Sequence, residues 1–362
     1  MNFDFSDDQR LLQDAVRTML AETSTSQAVR EVLEGRASHC AAAWRNLIEM
    51  GAAAAAVPEQ YGGAGLGHQE LCLVAEEAGR HLAAVPLSSS FYLAAEALLR
   101  AGSEAQKRHW LPKIASGEVV ATAALGSRER YRAPAPLAFD GETLTGTSPA
   151  LADGGIAGLA VLRVGGELVL ADLAGAGVSR EPVPTLDPTR PLAEIRFERA
   201  PAERLPTADA AAVAARVLDG AAVLLAFEQV GGAARILEQT RDYALERKAF
   251  GRQIGSFQAL KHKMADIYAA IELARVHAYY GAWALSSDAP ELPRAAAAAR
   301  VAATRAYVVA AEEGIELHGG IGFTWEMDCH LHYRRARHLG QLIGSEHAWR
   351  ARLADALIEE AA

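Results

Sequence analysis

Between Glu246 and Gln258 the sequence sets three cations, Arg247, Lys248 and Arg252, around the aromatic Phe250, with the amide of Gln258 behind them. Those types could hold an anionic, partly planar ligand: guanidinium matches pyrophosphate, an aromatic face takes a ring, and an amide meets a polar edge. Gly251 and Gly255 mark a bend in this stretch. A solvated basic loop between two helices is the other reading these residues allow. Metal chemistry at Cys329-His330-Leu331-His332 lacks a second cluster to complete a tetrahedral set, so no metal is expected.

The flanking segments must position that bend. A long apolar helix is expected from about Asp209 to Glu246, interrupted only at Gly231-Gly232, and further helices over Ala259–Leu285, Pro293 to about Gly314, and from near His347. Four helices with short connections suggest an up-down bundle. Residues 1 to about 117 also read as helical. Ser6 is an N-cap candidate, and Leu11, Leu12, Ala15, Val16, Met19 and Leu20 then fall on one face. Trp44–Met50 is a helix closed by Gly51, Glu70–Arg80 resumes a helix, and Gly102–Lys107 opens another. From about Val119 to Leu205 the texture changes to short Val-, Leu- and Thr-rich runs such as Leu159–Leu162, Leu168–Leu170 and Ile195–Phe197, which predict a small antiparallel β-domain.

The bulk composition narrows the class. A chain of 362 residues favours two or three domains, and half of it is apolar. A net charge of −9 makes nucleic acid an unexpected partner, and the cluster Arg334, Arg335, Arg337 is too short to reverse that. Cys40, Cys72 and Cys329 lie far apart and are odd in number, against a disulfide framework. Asp4, Asp7 and Asp8 sit where a signal peptide would carry bases, and the apolar run near Ala221–Phe227 is too short to span a membrane. The expectation is a cytoplasmic protein with no membrane partner.

Arg247–Gln258 closely resembles the R-x-x-F-G-x-x-I-x-x-x-Q segment of flavin-dependent acyl-CoA dehydrogenases, which in that family holds the ADP half of a neighbouring subunit's FAD. Glu316-Leu317-His318-Gly319-Gly320-Ile321-Gly322-Phe323-Thr324 is similar to the family's glycine turn at the same FAD. Pro58-Glu59-Gln60-Tyr61-Gly62-Gly63-Ala64-Gly65 resembles a structural turn beside the family's acyl pocket, and its likeness to a dinucleotide fingerprint fails because Pro58 precedes it and no buried strand feeds it. Asp187-Pro188-Thr189-Arg190 is similar to the family's D-x-T-R turn. The resemblance covers nearly the whole chain. It implies an N-terminal α-helical domain (1–117), a middle antiparallel β-domain (118–206) and a C-terminal four-helix bundle (207–362). It also implies FAD as cofactor, with Arg247, Phe250, Gln258, Glu316, Gly319, Gly320 and Ser345 binding it.

The family desaturates an acyl-CoA thioester: a carboxylate of raised pKa takes the α-proton and FAD accepts the β-hydride. Its usual base stands in a Tyr-Glu-Gly-Thr segment before the last helix. Anchoring on Gly344 and Arg350 puts Ile343 at that place, and the family's alternative position, on the first bundle helix, falls at Ala221-Ala222. Glu346, Glu228 and Asp219 remain as carboxylates nearby, with structural readings as a first-turn dipole partner, a helix–helix polar contact and a solvated surface acid. Two flavin-lining places also depart from the family: Leu125-Gly126-Ser127-Arg128 replaces a Thr-Glu-Pro-like loop, and Ala150 replaces an aromatic. The losses fall where a subunit holds its own flavin and substrate. The segments facing a neighbour's FAD are intact. This division resembles the smaller subunits of heteromeric acyl-CoA dehydrogenases acting on bulky thioesters such as steroid side chains or rings. A self-sufficient homodimer or homotetramer with another base, and a non-redox structural paralogue, are the alternatives. An electron-transferring flavoprotein is the electron acceptor that the family implies.

Overall fold

The computed structural model describes residues 5–126 and 136–361; Ser127 and Arg128, expected in a flavin-lining loop, lie outside them. Helices α1 (Asp7–Thr23), α2 (Ser26–Leu33), α3 (Ala41–Glu49), α4 (His68–Arg80), α5 (Glu96–Ala101) and α6 (Glu104–Ala115) precede a sheet of β1 (Ala121–Ala124), β2 (Ala138–Phe139), β3 (Thr143–Thr147), β4 (Leu151–Ala152), β5 (Leu159–Val164), β6 (Glu167–Asp172), β7 (Val178–Val183) and β8 (Leu192–Arg204). Then follow α7 (Ala210–Glu246), the short strands β9 (Lys248–Ala249) and β10 (Arg252–Gln253), α8 (Gln258–Ser286), α9 (Leu292–His318), α10 (Cys329–Leu339) and α11 (Glu346–Ala361). The order is the expected one: helices, sheet, helices.

By contact density the described residues divide into two compact units, one drawn from Met1–Gln27, Cys72–Ala83 and Ala222–Ala362, the other from Ala28–Leu71 and Ala84–Ala221. The second contains the sheet, ordered β1-β5-β6-β8-β3-β2 with β4 and β7 also paired to β8. Strand β8 is its spine. Ala193, Ile195 and Phe197 point into the core while Arg196 and Glu198 face out, the period-2 pattern of a half-buried strand. The expectation of a wholly antiparallel domain needs one correction, because β1 runs parallel to β5, with Ala121 opposite Leu159. The chain between them is long enough for the crossover that a parallel pair requires, and the sheet is therefore mixed.

The same unit holds a feature that periodicity did not predict. Ser88–Ala95 forms a fully buried π-helical stretch, a rare geometry because its wide turn packs poorly unless its surroundings fix it. Here Ser90 Oγ donates to Ala121 O at 3.2 Å and accepts from Ala121 N at 3.1 Å, pinning the stretch to the start of β1. The Asp187–Arg190 turn is held from within, Thr189 N donating to Asp187 Oδ1 at 3.1 Å, and buried Arg190 donates to Val85 O at 2.5 Å.

In the first unit α4, α7, α8, α9 and α10 pack through small residues. Helix α7 runs unbroken through Gly231 and Gly232, so the expected interruption does not occur. The two glycines serve close approach instead: a Cβ on Gly231 would lie 1.9 Å from Glu76 O of α4, and one on Gly232 would lie 2.5 Å from the Tyr307 ring of α9. By length and composition α7 could cross a membrane, yet 67% of its most apolar window is buried in the protein, as in a core helix.

Helix α10 was not expected either. Its sequence, Cys329–Leu339, carries three arginines and three histidines among its eleven residues, and buries Leu331, Ala336 and Leu339 together with polar side chains. Arg335, one of the three clustered cations, is buried, donates to Leu82 O at 3.2 Å and Ala83 O at 3.3 Å, and stands 3.7 Å from Glu228. It thereby satisfies carbonyls just beyond the end of α4, where a helix runs out of its own donors. Arg300 of α9 donates to Gln229 Oε1 at 2.6 Å and to Leu339 O; burial holds its pKa down at about 10 despite the charge of Glu228. Long-range polar contacts, not local periodicity, fix this helix.

Candidate functional site

Helix α7 ends as Arg247 N donates to Tyr243 O at 2.8 Å, and the chain turns into the antiparallel β9–β10 pair, with Arg252 opposite Ala249. The connection is a two-residue turn in which Phe250 (φ 52°) and Gly251 (φ 79°) both take left-handed backbone, as a twisted hairpin requires. That conformation costs a bulky residue of order 1–3 kcal/mol, and the ring it presents is 95% exposed. Gly255 serves close approach, since a Cβ there would lie 2.9 Å from Ala244 O, and its absence lets the loop sit on α7. Arg252 stacks over Phe257 at 4.0 Å, and Phe250 meets Phe257 edge-on with centroids 6.2 Å apart. Gln258 then opens α8.

Opposite this hairpin, α9 closes at His318 and Gly319 turns at φ 66° into a 3-10 turn over Gly319–Phe323. A Cβ on Gly319 or Gly320 would meet nothing within 4 Å, so bare backbone faces open space, whereas one on Gly322 would strike Ile315 O at 2.5 Å. Tyr243, Arg247, Ile254, Leu260, Lys263, Glu316, His318, Gly319 and Gly320 all line one cavity of about 860 Å3. The fold thus joins two segments that are nearly seventy residues apart in sequence.

The polar groups of this cavity are set by local chemistry. His318 Nδ1 lies 2.7 Å from Gly314 O, which as a carbonyl can only accept, so the proton is on Nδ1 and Nε2 carries a lone pair. Burial holds the His318 pKa below its ordinary value, and among the described residues no partner reaches Nε2. Its ring stacks on Tyr243 with centroids 4.4 Å apart and 24° between planes. Lys263 Nζ donates to Glu313 at 2.6 Å and to Glu316 at 3.1 Å. Arg247 is exposed, and among the described residues no acceptor pairs with its guanidinium. The cavity therefore offers an exposed cation, bare peptide and two acceptors, one of them a carboxylate held by lysine.

Of the predicted cofactor residues, Arg247, Glu316, Gly319 and Gly320 line this cavity; Phe250, Gln258 and Ser345 do not. Phe250 projects from the hairpin tip and Gln258 is exposed at the head of α8. Ser345 Oγ accepts from Ala348 N at 3.3 Å and so caps α11. Tyr243 and Lys263 escaped the sequence reading because each lies one helical turn or more from a motif residue on a helix of unknown partner.

The places where a base was sought lie elsewhere. Ile343 is half-buried in the link between α10 and α11, beside Gly344 at φ 116°. Ala221 and Ala222 are fully buried on α7. Glu346 pairs with Arg350 within the first turn of α11. Glu228 is wholly buried beside Arg335. Asp219, expected as a solvated surface acid, is only 3% exposed, since α7 is buried on every side from there to Ala233. The Cys329–His332 run does not assemble a metal site: no group of three or more His, Cys, Asp or Glu side chains among the described residues is placed to hold one. Cys329 is buried with its thiol pKa pushed up to about 11 by desolvation, and His332 Nδ1 lies 3.0 Å from Tyr307 Oη.

Residues 6–118 match the family model described as acyl-CoA dehydrogenase, N-terminal domain, and residues 211–358 match that of the C-terminal domain. Over 342 residues, 94% of either chain, this chain is 36% identical to acyl-CoA dehydrogenase IpdE2 of Mycobacterium tuberculosis. The chain belongs to the acyl-CoA dehydrogenase family. It is 34% identical to IpdE2 of Mycolicibacterium smegmatis, over 94% of this chain and 95% of that one. Among solved structures it resembles a variant of the Tcur3481-Tcur3483 steroid ACAD, with a TM-score of 0.88 and 30% identity over 98% of this chain and 99% of the other. It also resembles the ChsE4-ChsE5 complex from Mycobacterium tuberculosis, with a TM-score of 0.89 and 27% identity over 99% of both.

Acyl-CoA dehydrogenases are flavoprotein oxidoreductases that use FAD. The residues fit that group. Bare backbone at Gly319 and Gly320 permits close approach, the buried Nε2 of His318 can accept from a donor, and the exposed guanidinium of Arg247 matches a pyrophosphate.

Proposed function

We propose that this chain is a subunit of a heteromeric acyl-CoA dehydrogenase that completes the FAD site of a base-bearing partner subunit. The observation that carries the reading is a contrast within one chain. The cavity at Arg247, Glu316, Gly319 and Gly320 is assembled and open, while isoleucine, which can take no proton, stands at position 343. FAD, when bound, would supply the hydride acceptor for desaturation of an acyl-CoA thioester between Cα and Cβ. Arg247 would bind its pyrophosphate, Phe250 would lie against the neighbour's face, and the partner's carboxylate would take the α-proton. Gln258 and Ser345 are the remaining cofactor contacts of this reading.

The similarity to the steroid ACAD and to the ChsE4-ChsE5 complex supports a bulky, steroid-like acyl group and a second acyl-CoA dehydrogenase chain as partner. A cytoplasmic location, an electron-transferring flavoprotein as acceptor, and domains at 1–117, 118–206 and 207–362 complete the reading. Glu228 as the base of a self-sufficient enzyme is disfavoured, since its carboxylate is buried against Arg335.

The test is to express the chain alone and together with its genomic neighbour, then measure flavin bound per chain and acyl-CoA-dependent bleaching. Flavin and bleaching only in the pair support the subunit role. A lone chain that binds flavin stoichiometrically and bleaches it would establish a self-sufficient enzyme, and a pair with no flavin would leave a structural paralogue.

A further inference from the structure

A carboxylate is an odd neighbour for an anionic ligand. Glu316 lines the same cavity as Arg247, and its charge would repel a pyrophosphate bound within about a Debye length of it. The fold supplies the answer on the next helix. Lys263 lines the cavity too, donating to Glu313 at 2.6 Å and to Glu316 at 3.1 Å. Glu313 is the better shielded of the two acids, its side chain 27% exposed against 68% for Glu316, so Lys263 is anchored by Glu313 and reaches from there to Glu316. Glu313 and Glu316 lie on successive turns of α9, and one ammonium spans both.

We propose that Lys263 is a positioning residue of this site, its ammonium masking the charge of Glu316 so that a carboxylate can offer a hydrogen-bond acceptor inside a cavity that takes an anion. The inference rests on the FAD reading given above and adds to it a residue and the part that residue plays. Glu316 and the Nε2 of His318 are both acceptors, which suits the amino and hydroxyl donors of an adenosine moiety. Of the two cations lining the cavity, Arg247 is then the one left to face the phosphates. Without Lys263, Glu316 would put an uncompensated negative charge in the cavity that Arg247 lines.

The experiment uses the assembled protein with its partner and reads FAD release by the recovery of free-flavin fluorescence, at low and at 0.5 M salt. Lys263→Met is expected to weaken FAD retention about 3–10-fold at low salt, with the deficit shrinking at high salt. Lys263→Arg should keep retention within about twofold. Adding Glu316→Gln to Lys263→Met should recover most of the loss, since a neutral amide needs no counter-cation. A merely structural lysine would show neither the salt dependence nor the recovery. Thermal melting of each variant separates misfolding from weakened binding, and the Lys263→Met, Glu316→Gln double variant carries the test should the single one melt early. Arg247→Ala is the control for the site itself. If Arg247→Ala loses FAD and Lys263→Met does not, or the double variant fails to recover it, the masking role is overturned. If Arg247→Ala and Lys263→Met both retain FAD as the parent does, the FAD reading fails, and the masking role with it.

Discussion

Gly79 of α4 sits so close to Glu228 of α7 that a Cβ on the glycine would lie 1.8 Å from the Glu228 carbonyl oxygen. Backbone cannot rotate away as a side chain can, so the helices would have to separate. Gly79→Ala should therefore destabilise the protein by about 3 kcal/mol or more, at the upper end of overpacking penalties. Urea denaturation measures it, with Gly166→Ala as the control, since a Cβ there meets nothing within 4 Å.

Below that crossing, Glu228 lies against Arg335 at 3.7 Å with both side chains buried. Removing one member leaves the other charged and dry, which costs about 3–5 kcal/mol. Glu228→Gln is thus expected to lower the melting temperature by many degrees, and any loss of activity should follow the loss of folded protein. Activity per folded molecule, measured well below the new melting point, is the discriminating quantity. A drop of a hundredfold or more there would restore Glu228 as a base.

Acid stability should report Glu96. Burial would raise the pKa of this carboxyl, but the bond to His68 at 3.2 Å and the charges of His68 and Arg100 outweigh it, holding it at about 2. A folded-state pKa below the unfolded value means stability present above about pH 4.5 and lost as pH falls from there towards 2. The shift corresponds to about 3 kcal/mol. Glu96→Gln should flatten that limb of the stability curve, read by denaturant midpoints from pH 6 down to pH 3.

The hairpin tip separates stability from binding. Phe250→Asn replaces a strained aromatic with a residue that accepts left-handed backbone, and should raise stability by about 1 kcal/mol. Arg247→Ala should leave stability unchanged, its guanidinium being exposed, while removing a charge-assisted contact worth about 1.5–3 kcal/mol. FAD retention in the assembled protein should fall by one to two decades in Arg247→Ala and fall also in Phe250→Asn. Retention as in the parent for both would separate the hairpin from the cofactor.

With Ile343 at the usual base position, the chain alone should give almost no flavin bleaching by any acyl-CoA, since a general base contributes about 10²–10⁴-fold. Stopped-flow absorbance on the lone chain loaded with FAD, and on the pair, makes the comparison. Glu346→Gln in the pair should stay within a few-fold of the parent, as that side chain is engaged with Arg350. Fast bleaching of the lone chain, abolished by Glu346→Gln, would overturn the subunit role.

Local chemistry wrote much of this protein directly into its sequence. Ser6 caps α1 in a reciprocal pair of bonds with Gln9, and Ser103 does the same for α6 with Gln106, each within three residues. Gly51 closes α3 at φ 69°, and Ile195-Arg196-Phe197 alternates as a strand must. The bend after α7, too, was legible as a string, because Phe250 and Gly251 are adjacent in a turn whose geometry is local. Tertiary structure alone decided what depends on a partner far along the chain. Gly231 looked like a break and is a contact, because only the approach of α4 shows what its missing Cβ makes room for. Arg335 was one of a cluster of cations, and only the fold shows it buried, because the carbonyls it serves beyond α4 are some 250 residues away. Lys263 was one charge among many until the fold brought α9 alongside and set Glu313 and Glu316 within its reach. Periodicity and capping act over a few residues, whereas burial and charge compensation act through space, which a sequence read in order does not contain.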